Sequence, residues 1–231
     1  MDWFQQIDIY CERVGPAFWA EPLNAISNAA FLIGALVAFR LHARERAATG
    51  RADWGALLLT LILFAIGIGS FLFHTFANAW SSAADVIPIL LYILVYLYLA
   101  NVRYLGLPWW AAALIVLAFL PISNVGGGLL TQILGDLNGS EAYVPTFLAV
   151  LIYGLILLPR QPVTGRGLII GAAILGVSIT ARTLDDQNGA LCAAFPLGIH
   201  YLWHILNGVM LTWMIWVLLR HARLARAGAA G

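Results

Sequence analysis

The sequence predicts an all-α fold, a bundle of seven transmembrane helices, and three observations carry that expectation. Hydrophobic residues make up 62% of the chain and charged residues 10%, whereas soluble domains carry about 25% charge. Mean hydropathy is +0.88, and repeated apolar runs approach the roughly 20 residues a helix needs to cross a bilayer core. Finally, the arginines gather between alternate runs, as an odd number of crossings requires. A soluble domain is excluded, and a net charge of +1 gives no basis for a nucleic-acid partner.

Taken in order, the apolar runs place helices at 22–41, 53–75, 83–102, 108–123, 143–158, 166–183 and 196–219. Pro22, Pro108 and Pro196 open their runs, where a missing N–H does no harm. The fourth and fifth runs are short. The stretch 121–143 holds Gly126-Gly127-Gly128 and Asn138-Gly139 and is expected to form a re-entrant or interfacial piece. Met1 to Glu12 lacks a basic start and a long apolar run, so a cleavable signal peptide is not expected. The expectation is one domain over 1–231, with an outer segment 1–21 and a cytoplasmic tail 220–231.

All twelve basic residues are arginine. With seven crossings, Arg40, Arg44, Arg46, Arg51, Arg103, Arg160, Arg166, Arg220, Arg223 and Arg226 share one side. Only Arg13 and Arg182 fall on the other, together with Asp2, Asp8, Glu12, Glu21, Asp136, Glu141, Asp185 and Asp186. The positive-inside rule then puts the N-terminus outside and the C-terminus in the cytoplasm.

Ionisable groups inside a bilayer are costly and mark function by default. The second run carries Ser70 and His74, four apart on one helix face; the third opens with Asp85; the seventh opens with His200 and His204, again four apart. The topology places all five groups near one membrane face. Three histidines with an open fourth position suit a catalytic zinc ion, with Asp85 as proton acceptor and Ser70 as oxyanion donor. The chemistry that follows is hydrolysis of an acyl bond in a membrane-resident substrate. Each residue alone has a plainer reading: His74 as a helix–helix hydrogen-bond partner, Asp85 as a helix cap, Ser70 as a packing residue beside Gly67 and Gly69. His42 and His221 sit in arginine-rich ends and are expected to be solvated or to face headgroups. Trp109, Trp110, Trp213 and Trp216 read as interface or lipid-facing residues.

The spacing Gly-x-Gly-Ser70-x-x-x-His74, Asp85, and His200-x-x-x-His204 resembles the alkaline ceramidase family, within the superfamily that also holds the adiponectin-type receptors. Tyr10-Cys11-Glu12 and Glu21-Pro-Leu-Asn24-Ala-Ile-Ser27-Asn28 extend the resemblance to the start of the first helix. It implies a zinc-dependent amidase that splits ceramide into fatty acid and sphingoid base. His74, His200 and His204 would hold Zn2+, and Ser70 and Asp85 would be catalytic. It also implies a Ca2+ site at the acidic N-terminal motif, with Glu12, Glu21 and Asp8 as its carboxylates. That motif departs from the family pattern, because Ile9 and Val14 stand where an Asp and an Asn are expected.

The residues themselves give the calcium reading less support. Asp8, Glu12, Glu21, Asn24 and Asn28 supply outer oxygens that a hard cation could take, while Glu21 and Asn24 equally suit capping of the first helix. Cys11 and Cys192 both map outside, where a disulfide between them and two free thiols are alternative states.

Two other functions compete: a receptor-like protein with a structural zinc site, and a metal or proton transporter. Polar groups at one face only argue against a through-path. The expected partners are a lipid substrate and the bilayer, and the arginine-rich, Ala- and Gly-rich composition points to a bacterial inner membrane with the site facing the periplasm.

Overall fold

In a computed structural model, which describes residues 2–229, the chain is helical and has seven helices long and apolar enough to cross a membrane. It is an integral membrane protein. The first crossing is α1 (Pro22–Ser27) plus α2 (Ala29–Thr49). Then come α3 (Trp54–Phe76), α4 (Ala79–Arg103), α5 (Trp109–Leu134), α6 (Val144–Leu157), α7 (Pro162–Leu184), a short α8 (Ala190–Ala194) and α9 (His200–Ala229). A 3-10 turn, Ser140–Tyr143, leads into α6.

Local chemistry explains the breaks. Between α1 and α2 the Asn24 carbonyl accepts from Ser27 Oγ (2.9 Å) and Asn28 Nδ2 (2.8 Å). Side chains inserted into the helical ladder in this way interrupt it. Asp53 caps α3 by accepting from the Ala56 amide (3.0 Å), and it also takes two hydrogen bonds from Arg103 at the end of α4 (2.7 and 2.9 Å). Burial alone would raise the Asp53 carboxyl, but Arg103 and the capped amide hold it below its ordinary value. Asn78 and Ser81 form a reciprocal capping box at the start of α4.

The packing puts α3 and α9 at the centre. Leu59, Leu63 and Ile66 of α3 meet Phe31, Ala35 and Ala38 of α2, Tyr92 and Tyr96 of α4, and Met214, Ile215 and Leu218 of α9. Lipid tails are as apolar as these side chains, so close packing rather than water exclusion holds the helices together. Glycine serves that purpose where Gly34 of α2 faces Gly208 and Thr212 of α9. Large apolar side chains such as Leu61, Phe64, Ile122 and Ile133 remain exposed and suit a lipid-facing surface.

Three expectations need correction. The stretch 121–143 is no re-entrant piece: α5 runs through Pro121 and the three glycines to Leu134, and only the loop beyond it and the 3-10 turn are irregular. The run looked short because glycine lowers apparent helix content, yet lipid-exposed backbone must stay internally hydrogen-bonded. Likewise His42 is buried rather than solvated, and its Nε2 accepts from the Asp53 amide (3.2 Å). His221, half-buried, lies between Thr164 Oγ1 (3.1 Å) and the Arg103 carbonyl (3.0 Å). The last helix also continues through most of the expected tail, to Ala229.

Candidate metal centre

The end of the bundle opposite the arginine clusters holds the polar constellation. The last turns of α3 carry Ser70 and His74, the second turn of α4 carries Asp85, and the first turns of α9 carry His200 and His204. The three imidazoles converge: their ring centroids lie 4.6–5.1 Å apart, and one potential ligand atom from each falls within 4.8 Å of the others. All three are at most 1% exposed.

Hydrogen-bond accounting shows which nitrogens are free. His74 Nδ1 meets the Glu21 carboxylate at 2.6 Å, which can only accept, so Nδ1 carries the proton and Nε2 keeps its lone pair. Ser27 Oγ donates to the Asn24 carbonyl and therefore accepts from His204 Nδ1 at 2.7 Å, leaving His204 Nε2 unprotonated. His74 Nε2, His204 Nε2 and His200 Nδ1 are buried and have no hydrogen-bond partner. Three orphaned imidazole nitrogens in one place are costly unless something binds them. A tetrahedral zinc with three imidazole bonds of about 2.1 Å would satisfy all three. The donor set could hold a metal ion, and imidazole nitrogen suits zinc.

Surrounding groups fix the rings. His200 stacks on Tyr10 with centroids 3.6 Å apart. Asp185, buried at the end of α7, accepts from the amides of Cys11 (2.9 Å), Ile199 (2.5 Å) and His200 (2.6 Å). It thus caps the helix that carries two of the histidines and ties that helix to the N-terminal segment. Cys11 is also joined to Cys192 by a disulfide, with Cα atoms 5.1 Å apart. The Arg182 guanidinium lies 5.5–5.9 Å from the rings of Tyr10, Tyr143 and Trp203, and donates to the Asn138 carbonyl and Ser140 Oγ.

Ser70 is buried one turn before His74, and Asp85 keeps a buried Oδ1 without a partner. Their helices touch at Gly69, where a Cβ would run into the Ala84 carbonyl. That close approach brings Asp85 beside the Ser70–His74 face of α3.

The acids expected to hold calcium take other partners. Glu12 spends one oxygen on the Leu23 amide (2.7 Å) and the other on the Asn24 amide (2.8 Å), at the start of α1. Burial raises its carboxyl above the usual range. Glu21 binds His74, Asn24 Nδ2 (3.1 Å) and the Arg13 guanidinium. Burial would raise its carboxyl, but His74 and Arg13 together hold it low. Asp8 is exposed on the surface. Among the described residues the three carboxylates do not lie together as a group of potential metal ligands.

Three supporting residues escaped sequence reasoning: Arg13, Arg182 and Asp185. A signal for the first two was present, since they are the two arginines that break the positive-inside pattern. Asp185 resembled any loop acid, because its amide partners are set only by the fold.

With the geometry in hand, comparison with known families gives a match to the ceramidase model over residues 9–125. The chain belongs to the ceramidase family. A comparison with curated proteins finds no match. The ceramidase match covers Glu12, Glu21, Ser70, His74 and Asp85, and stops before α9. His200 and His204 are joined to that ceramidase segment by the fold itself.

Proposed function

We propose that the protein is a zinc-dependent membrane amidase that hydrolyses the N-acyl bond of ceramide or a related N-acyl lipid. The observation that carries this reading is the trio of buried histidines, each with an unpartnered ring nitrogen, in a member of the ceramidase family. His74, His200 and His204 would hold the zinc, which when bound supplies Lewis acidity that polarises a carbonyl and acidifies water.

The chain's own groups account for the remaining work. Asp85 accepts the proton of the attacking water and returns it to the departing amine, so that amide plus water yields fatty acid plus amine. Ser70 donates a hydrogen bond to the oxygen that gains charge during attack. Glu21 and Ser27 hold His74 and His204 in the tautomers that leave Nε2 free. A cleft of about 490 Å³ between α4, α5 and the Ser140–Tyr143 turn, lined by Val86, Ile89, Phe119, Asn124, Glu141 and Tyr143, opens on the helix that carries Asp85. Its size and mostly apolar walls, with Asn124 and Glu141 at the polar side, suit an amphipathic lipid. The arginine asymmetry supports an orientation with this site on the outer, periplasmic side of a bacterial inner membrane.

The test is direct. Purified wild type should carry one zinc per chain and release fatty acid from a panel of N-acyl lipids. His204→Ala should lose the metal and at least a thousandfold in turnover, about 4 kcal/mol of barrier. Undiminished hydrolysis by His204→Ala would refute the mechanism.

A further inference from the structure

We infer that Arg13 is a resident cation that makes the acidic N-terminal segment independent of calcium and positions His74. The Arg13 and Glu21 side chains are only 2% and 3% exposed. Nε of Arg13 binds Glu21 Oε1, Nη1 donates to the Gly15 carbonyl (3.2 Å), and Nη2 donates to the His74 carbonyl (3.0 Å). One carboxylate and two carbonyls gathered around the buried guanidinium are oxygen ligands of the kind a hard cation takes. Here a guanidinium occupies them.

Charge balance points the same way. Glu21 is neutralised by Arg13, and Glu12 is committed to two backbone amides at the start of α1. A divalent cation placed among them would lie beside the buried Arg13 charge without enough free carboxylate to offset it. The carboxylates of the N-terminal motif are thus satisfied by the protein's own groups.

The arrangement also reaches the histidine cluster by two routes. Arg13 binds one oxygen of Glu21, whose other oxygen, Oε2, holds His74 Nδ1; Arg13 separately grips the His74 carbonyl at the end of α3. Arg13 is therefore a positioning residue. Loss of its charge would take from the buried Glu21 its guanidinium partner, and would loosen the orientation of the His74 ring.

This inference rests on the zinc reading only for its second half, so the experiment separates the two. Calcium binding to the full-length, zinc-loaded protein is measured with radioactive calcium, alongside its unfolding midpoint in EGTA and in millimolar calcium. No saturable calcium binding and an unchanged midpoint are expected; one bound calcium per chain, or a midpoint lowered by EGTA, overturns the proposal. Next, zinc affinity and the visible spectrum of the cobalt-substituted protein are compared for wild type, Arg13→Gln and Arg13→Lys. Arg13→Gln should weaken zinc at least tenfold and alter the cobalt spectrum, with partial rescue in Arg13→Lys. Wild-type affinity and spectrum in Arg13→Gln overturn the positioning role. Should Arg13→Gln fail to fold, the Arg13→Lys comparison and the wild-type calcium measurements still decide. A protein that binds no zinc defeats the amidase reading, while the calcium measurement still judges Arg13.

Discussion

Asp185 shows how much a single carboxylate can do at the mouth of a membrane-embedded site. It accepts three backbone amides, two of them at the start of α9, where the helix dipole favours a negative charge. Replacing it with alanine should cost about 1–3 kcal/mol, because the amides of Ile199 and His200 lose their partner away from bulk water. Zinc affinity should fall tenfold or more, since both α9 histidines hang on that turn. Asp185→Asn, which keeps an acceptor but no charge, should lie between. Thermal unfolding and a competitive zinc chelator would measure both effects, and wild-type zinc affinity in Asp185→Ala would show that the cap does not orient the ligands. His74, His200, His204, Ser70 and Asp85 were legible from spacing alone, because the i, i+4 rule and the bilayer's intolerance of polar groups are local constraints. Asp185, Arg13 and Arg182 were not read, because their partners lie far off in sequence: Arg13 reaches His74 across 61 positions and Asp185 reaches Cys11 across 174.

Among the elements, the junction of α3 and α4 decides whether Asp85, the proposed proton acceptor, faces the histidines. Gly69 permits the α3 backbone to lie against the Ala84 carbonyl, immediately before Asp85. Gly69→Ala would force the two helices apart or bend one of them, at a cost of about 1–3 kcal/mol for an overpacked contact. The histidines lie on α3 and α9, so metal content should survive, while turnover should fall tenfold or more as Asp85 moves away. Metal analysis and turnover on the same preparation test this; a variant with normal turnover would place Asp85 outside the chemistry. The helices themselves were largely readable from hydropathy, and the two failures have separate physical causes. In α5, Pro121 and three consecutive glycines read as a break, yet a lipid-exposed segment has no water to satisfy free backbone groups and so remains helical. In α9, a polar, arginine-rich end read as a tail, although Arg223 and Arg226 pair with the buried Glu45 of α2 and so join the helix end to the bundle.

Across the whole molecule the charges divide the bundle into two unlike ends. Glu45 with Arg223 and Arg226, Asp53 with Arg103, and the exposed arginines occupy one end. The three clustered histidines, the Arg13–Glu21 pair and the disulfide occupy the other. Arg13 and Arg182 are no counterweight to the positive-inside asymmetry, since both guanidiniums are spent on internal partners rather than offered to the membrane surface. The ten remaining arginines should therefore hold their end in the cytoplasm without opposition. Single cysteines at exposed positions can report this, because Cys11 and Cys192 are already joined. In intact cells a membrane-impermeant maleimide should label Asp136→Cys at the histidine end and spare Ala48→Cys at the arginine end, with both labelled after the membrane is opened. The reverse pattern would turn the site toward the cytoplasm, where thiols are kept reduced. The tie between Cys11 and Cys192 could not persist there, and the N-terminal segment would rely on Arg13, Asp185 and its backbone bonds to Ala77, Ala79 and Trp80 to stay against the histidines.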